Sequence, residues 1–425
     1  MTTFFPRSTL VALAVVGAVP HITSLAAADF RRGDSNCDQA LDLSDSVFTL
    51  GWLFQGSGAP CCIKAADAND DGVVDLSDAV YVLGFLFTSG TPPVAPHPEC
   101  GADPTTDDLT CAAYPACEPV DLGPEIREWP VPWANTRPRD PYVGADGRAW
   151  FVGQQGNYVA YLEPGSGEFK RYPLPSGAAP HNVIVGADVW YAGNGDAHIG
   201  KLDPEDGEVT PFEMPDPAAR DPHTLIFDAS GDIWFTVQSG NFVGKLTVGT
   251  GVVDLIPVPT RNARPYGIDL DSTGRPWVAE FGTNKLGVVD PVAMEIRELT
   301  LPSAGARPRR LAITSDDEVW YVDYARGYLG RLSPGTGEVK EWPAPAGSIS
   351  LPYGMAVDDL DRLWFVETGP SPNRLVGFNP RTEKFFGQTN IPSGGGTVRH
   401  MYFHAPAREI WFGTDTNTIG RARLR

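Results

Sequence analysis

Two sets of polar residues in this chain have types and spacings that could do chemistry. The first runs through residues 124–425 at fixed phases of a repeat. Tyr142, His181, His223, Tyr266, Arg309, Tyr353 and His400 stand at the start of an apolar strand, and three of the five histidines of this region share that phase. Glu280, Asp323 and Glu367 follow a tryptophan by three residues, and Asp415 follows Trp411 by four. Imidazoles and carboxylates converging on one mouth are the ingredients of a proton-transfer or divalent-metal site. The same groups could equally line a hydrated channel without reacting.

The second set is a pair of loops 33 residues apart. Asp34, Asn36, Asp38, Asp42 and Asp45 match Asp67, Asn69, Asp71, Asp75 and Asp78 at loop positions 1, 3, 5, 9 and 12. That alternation lets one tight turn aim side-chain oxygens at a single hard cation, with the position-7 carbonyl (Ala40, Val73) completing the set, so Ca²⁺ is the expected ion. Gly72 supplies the sharp turn at position 6 of the second loop, where the first has Gln39. The second site is therefore expected to be the better formed. After each loop the spacing of Val47, Leu50 and Phe54, and of Val80, Leu83 and Phe87, predicts an amphipathic helix.

The elements that must position the first set follow from the tryptophans. Trp150, Trp190, Trp234, Trp277, Trp320, Trp364 and Trp411 begin short hydrophobic strands at gaps of 40, 44, 43, 43, 44 and 47 residues. Seven units of that period, each with several short strands, predict an all-β seven-bladed propeller with four strands per blade. The tryptophans read as packing residues. The last unit stops at a third strand, Ile419–Leu424, while Ile126–Val131 is a fourth strand without a blade, so the first strand is expected to complete the last blade and remove both open edges.

The remaining features bound the setting. Arg7, the apolar run Leu10–Val19 and Ala26-Ala27-Ala28 predict a signal peptide over residues 1–28. Export, to the outside, the periplasm or the cell surface, follows, and no later segment reads as a membrane span. The chain has 425 residues, 46 of them Gly and 40 Pro, which suits turn-dense β structure in more than one domain. With 53 acidic against 33 basic side chains and a net charge of −20, nucleic acid and anionic membranes are excluded as partners. All six cysteines (37, 61, 62, 100, 111, 117) precede the repeats, allowing up to three bridges of undetermined pairing. Residues 29–90 read as a small α-helical calcium module, and 91–123 as a linker stiffened by Pro92, Pro93, Pro96 and Pro98 and stapled by the last three cysteines.

At the duplicated Asp-x-Asn-x-Asp loops the sequence resembles type I dockerin modules, with half an EF-hand occurring twice. The resemblance implies two Ca²⁺ ions and a cohesin-like protein partner. The pairs Leu43-Ser44 and Leu76-Ser77 partly resemble the Ser-Thr often found before position 12 in that family. Across the seven units, Arg264-Pro265-Tyr266-Gly267-Ile268 followed by Trp277 to Gly287 resembles the streptogramin B lyase (virginiamycin B lyase) family. That resemblance implies a carbon–oxygen lyase that opens cyclic depsipeptides by elimination, with a histidine base and Mg²⁺ stabilising an enolate. It places the base at His400 and a metal-site carboxylate at Asp415. It puts Val398 where a second glutamate would be and Tyr353 where a histidine would be. Three readings stay open: a lyase-like enzyme acting on a small or oligomeric substrate, a non-catalytic propeller docked through its calcium module, and elimination on a polysaccharide.

Overall fold

The computed structural model describes residues 29–38, 40–98, 100–111, 114 and 123–424, which divide into two compact units, 1–120 and 121–425. The expected signal peptide lies outside the described residues. Among those residues no helix is long and apolar enough to cross a membrane.

The larger unit is a seven-bladed β-propeller of seven four-stranded antiparallel sheets. Inner strands run over Pro138–Val143, Val183–Val185, Pro222–Phe227, Pro265–Leu270, Pro308–Ile313, Pro352–Val357 and Met401–His404 in blades one to seven. Blade seven closes the ring: Glu125–Pro130 pairs with Thr418–Arg423 from Glu125↔Arg423 to Pro130↔Thr418. Trp129 stacks on Trp411 with centroids 5.7 Å apart. The Glu128 carboxylate accepts from the Ser393 backbone (2.6 Å) and hydroxyl (2.7 Å) and from Thr418 Oγ1 (2.6 Å).

Strands this short bury little alone, so the core is a set of interfaces between blades. Trp150 packs with Val189 and Tyr191 of the next blade, Trp234 with Val278, Trp277 with Tyr321 and Trp364 with Phe412, and Trp411 closes the circle against Phe151 of blade one. A buried indole N–H needs an acceptor. Trp277 and Trp364 donate to Asp271 and Asp358 at 2.9 Å, and Trp234 to Asp228 at 3.3 Å, each carboxylate lying six residues before its tryptophan.

In the smaller unit, α1 (Leu43–Gln55) and α3 (Leu76–Thr88) follow the two loops, with a one-turn α2 (Ile63–Ala66) between them. Asp42 and Asp75 cap the long helices, and Asp45 and Asp78 return the bond to the cap backbone. The two helices meet through small residues, Ser46 and Thr49 against Ala79 and Val82, with Ser46 Oγ donating to the Ala79 carbonyl at 3.2 Å. The amphipathic stripes therefore face outward: Phe54 and Phe87 are 67% and 66% exposed, and Leu43, Val47, Leu76 and Val80 are exposed with them.

The segment expected to be a linker packs back on these helices. Phe30 bridges Gly101, the fully buried Arg32 reaches Asp103 at 2.8 Å, and Lys64 reaches Asp103 and Asp107 at 2.5 and 2.7 Å. Cys111 pairs with Cys62, so it ties this segment to the helical module rather than stapling the segment to itself, and Cys37 pairs with Cys61. Buried opposite charges hold a proline-rich stretch that composition alone reads as a spacer.

Candidate functional site

The strands of each blade converge at the propeller axis, so the first residues of the inner strands determine what lines the channel. Strand register identifies the ring. In every blade one inner-strand residue pairs with the tryptophan, as Asp269 does with Trp277, and the channel residue stands three positions before it. The ring is Arg139, His181, His223, Tyr266, Arg309, Tyr353 and Arg399. Five of the seven positions expected from sequence are in it. Tyr142 and His400 are not: Tyr142 pairs with Trp150 and stacks on Tyr402 at 4.2 Å, and His400 lies one residue past Arg399.

The ring side chains touch one another. Arg139 Nη1 lies 2.6 Å from His181 Nε2, the His181 and His223 rings are 3.6 Å apart, and His223 sits 3.9 Å from Tyr266. The Tyr266 and Tyr353 hydroxyls share a hydrogen bond. The Arg309 guanidinium stacks 3.8 Å over Tyr353 and 4.4 Å from both Phe281 and Tyr324. Burial, then the charges and rings beside them, hold His181 and His223 well below their ordinary pKa, so both are neutral at neutral pH.

Below the ring, Arg310 spans the axis. Its Nε donates to the Arg399 carbonyl at 3.1 Å, Nη1 to Thr224 Oγ1 at 2.9 Å and Nη2 to Asp140 Oδ2 at 3.3 Å. Asn182 donates to the same Asp140 oxygen at 3.2 Å. Gly267 leaves room for this crossing, since a Cβ there would stand 2.9 Å from Arg310 Cα. His400 belongs to this deeper layer, where burial and the Arg310 charge push its pKa down to about 4 against the pull of Asp140. Its Nδ1 has no hydrogen-bond partner among the described residues.

The carboxylates after the tryptophans serve the blades rather than the channel. Asp323 accepts the backbone N–H groups of Arg307, Ala325 and Arg326 at 3.0–3.2 Å, and Glu367 holds Ala346 N (2.7 Å) and Arg374 Nη2 (2.6 Å). Glu280 accepts from Thr283 Oγ1 at 3.1 Å, and burial followed by the nearby Glu298 raises its pKa to about 7. All three are fully buried. Asp415 does reach the mouth, where it forms an ion pair with Arg399 and borders a 240 Å³ cavity shared with Arg137, Gln155 and Asn417.

This arrangement does not fit Mg²⁺ at the position the resemblance implies. Arg399 covers Asp415, Val398 is fully buried in the apolar interface between blades six and seven, and the Tyr353 hydroxyl is committed to Tyr266. A hard dication needs several free oxygen ligands, and one arginine-paired carboxylate does not supply them.

The loops of the smaller unit suit a cation. Asp34, Asp45, Asp67 and Asp78 are buried, and their oxygens accept loop backbone N–H groups, such as Asp38 N on Asp34 (3.2 Å) and Gly72 N on Asp67 (3.0 Å). Asn36 and Asn69 donate to Asp38 and Asp71 at 2.8 and 2.9 Å, so positions 1, 3, 5 and 12 gather around each turn, with Asp42 and Asp75 at the helix start. Gly72 takes the left-handed φ of +82° that position 6 requires, while Gln39 lies outside the described residues.

Sequence reasoning missed Arg139, Arg310, Arg399, Phe281 and Tyr324. Arg139 had a signal, as the Pro138-Arg139 counterpart of Pro265-Tyr266 and Pro308-Arg309.

Solved structures share the propeller. A streptogramin B lyase aligns at a TM-score of 0.65 and 24% identity, covering 72% of this chain and 99% of its own. An inactive histidine-to-alanine variant of virginiamycin B lyase from Staphylococcus aureus, with quinupristin, aligns at 0.64 and 23%, covering 71% and 99%. Hydrazine synthase from Kuenenia stuttgartiensis aligns at 0.57 and 12%, covering 69% and 97%. No curated protein sequence matches the chain. The model of the virginiamycin B lyase family matches residues 119–289 and 249–424, essentially the whole propeller, and the chain belongs to that family.

Proposed function

We propose that this chain is an exported binding protein in which a Ca²⁺-loaded module docks to a protein partner and the propeller captures a small or oligomeric ligand at its channel mouth. The observation that carries the propeller reading is the Arg399–Asp415 pair, which puts a guanidinium where a Mg²⁺-dependent lyase needs open ligands. Asp34, Asn36, Asp38, Asp42 and Asp45, with Asp67, Asn69, Asp71, Asp75 and Asp78, would hold two Ca²⁺ ions. The ions would neutralise the buried carboxylates and fix the starts of α1 and α3. The outward stripe of Leu43, Val47 and Phe54, repeated as Leu76, Val80 and Phe87, supports a protein partner such as a cohesin-like domain. The Cys37–Cys61 and Cys62–Cys111 disulfides suit the oxidising compartment that a leader over residues 1–28 would give access to.

The test is incubation of the full chain with quinupristin and Mg²⁺, followed by mass spectrometry. An intact macrocycle is expected, and ring opening that requires Mg²⁺ would overturn the binding reading. One observation favours a second reading, elimination without metal. Neutral His400, whose buried Nδ1 has no hydrogen-bond partner among the described residues, would be the base for a substrate that reaches it, with the Arg310 charge beside it. That reading requires an unsaturated product containing no oxygen from water, and loss of turnover in His400→Ala.

A further inference from the structure

The propeller channel carries an excess of positive charge in a protein that is strongly acidic overall. Arg139, Arg309, Arg310 and Arg399 face two carboxylates, Asp140 and Asp415, while His181, His223 and His400 are held neutral. The four guanidiniums are not equally engaged. Arg310 is bonded across the axis through each of its three nitrogens and Arg399 is paired with Asp415.

Arg139 and Arg309 differ. Arg139 is 7% exposed, contacts His181 Nε2 through one nitrogen, and has a buried Nε with no hydrogen-bond partner among the described residues. Its guanidinium is disfavoured by burial and then by the Arg399 charge, so it sits in a field that an added anion would relieve. Arg309 lies among Tyr266, Phe281, Tyr324 and Tyr353, its Nε is likewise buried and unbonded, and no carboxylate lies within ion-pair distance among the described residues. Stacking occupies the faces of a guanidinium and leaves its edge, the part that forks an oxyanion with two parallel N–H bonds, free to bind.

We infer that the channel mouth is an oxyanion-binding site, in which Arg309, backed by Arg139 and Arg399, receives a carboxylate or sulfate group of the ligand, while Phe281 and Tyr324 pack against the body that carries it. The inference rests on the binding reading and names the ligand class.

The experiment is isothermal titration of the full chain, with Ca²⁺ present and ionic strength fixed, using sulfate, acetate and glucuronate as separate probes. Saturable binding of one anion per chain is expected. Arg309→Gln should weaken it at least about tenfold, as loss of a charged hydrogen-bond donor does, with Arg309→Lys in between. Arg381→Gln, an exposed cation in a turn of blade six, should leave it unchanged. Glucuronate above acetate would identify a ring-bearing carboxylate, and sulfate above both a sulfated ligand. If no probe binds, or if Arg309→Gln and Arg399→Gln weaken binding no more than Arg381→Gln does, the inference is overturned, while the binding reading would stand or fall separately on the quinupristin assay. Melting curves of each variant would distinguish a lost site from a lost fold.

Discussion

Closure by the first strand predicts that Trp129→Ala loosens the whole propeller although the residue lies nearly three hundred positions from its stacking partner, Trp411. Trp129 is 6% exposed and packs with Trp411, Ile419 and Phe151 across the interface between blades seven and one. Truncating a buried tryptophan costs about 3–5 kcal/mol through lost transfer energy and the cavity left behind. The cations over its ring, the exposed Arg127 at 4.5 Å and the half-buried Arg421 at 5.4 Å, lose their partner as well, worth about 0.5–1 kcal/mol each. For a unit of this size 1 kcal/mol shifts the melting temperature by about 2 °C, so a fall on the order of 8–14 °C is expected by calorimetry. Glu125→Ala, at the exposed end of the same strand, should shift it by about 1 °C or less. The two substitutions share a strand and differ in whether they touch the interface. Equal effects would refute closure through Trp129 packing. The consequence reaches the site, because blade seven carries Arg399 and His400.

Other expectations follow from single groups. His400 has a folded pKa of about 4 against an ordinary 6.5, so its contribution is fully present above pH 6.5 and is lost as pH falls toward 4. His400→Gln should accordingly flatten that part of the acid-melting profile, by at most about 3 kcal/mol. Glu280 has the opposite sign: with a pKa raised to about 7 from 4.5, its contribution is present at low pH and lost as pH rises through 7. Glu280→Gln should therefore raise the melting temperature at pH 8 and change it little at pH 5. Chelator should abolish most helical circular dichroism of an isolated 29–120 fragment, and Asp67→Ala should cost more Ca²⁺ affinity than Asp34→Ala, because Gly72 completes the second loop. Equal helicity with and without chelator would contradict the first expectation, and a larger loss from Asp34→Ala the second.

Much of the architecture was legible because it is periodic. Buried tryptophans near every 43rd residue must repeat if each blade interface is to be filled the same way, and two strands without partners at the chain ends must meet if no edge is left open. The ring was only partly legible because hairpin length varies. The channel residue precedes its tryptophan by eleven positions in most blades, but by nine in blade two (His181 to Trp190) and twelve in blade seven (Arg399 to Trp411). A 3-10 turn at Ala405–Ala407 lengthens the last hairpin, so alignment by motif fell one residue late, on His400. In blade one Pro141-Tyr142 imitates the Pro-Tyr start of blades four and six, while register assigns the role to Pro138-Arg139. The carboxylates at Glu280, Asp323 and Glu367 had the right spacing and the wrong direction, since they turn into the blades to hold backbone N–H groups and neighbouring side chains. The linker was misread because its retention depends on Arg32 and Lys64 meeting Asp103 and Asp107, pairings that composition does not encode.

The most direct test of the central claim is calorimetric titration of Mg²⁺ into the full chain and into Asp415→Ala, with Ca²⁺ saturating the loops of the smaller unit. Identical traces, with no saturable site assignable to the propeller, are predicted because Arg399 already neutralises Asp415. A single Mg²⁺ site that disappears in Asp415→Ala would contradict the claim and return the propeller to metal-dependent elimination.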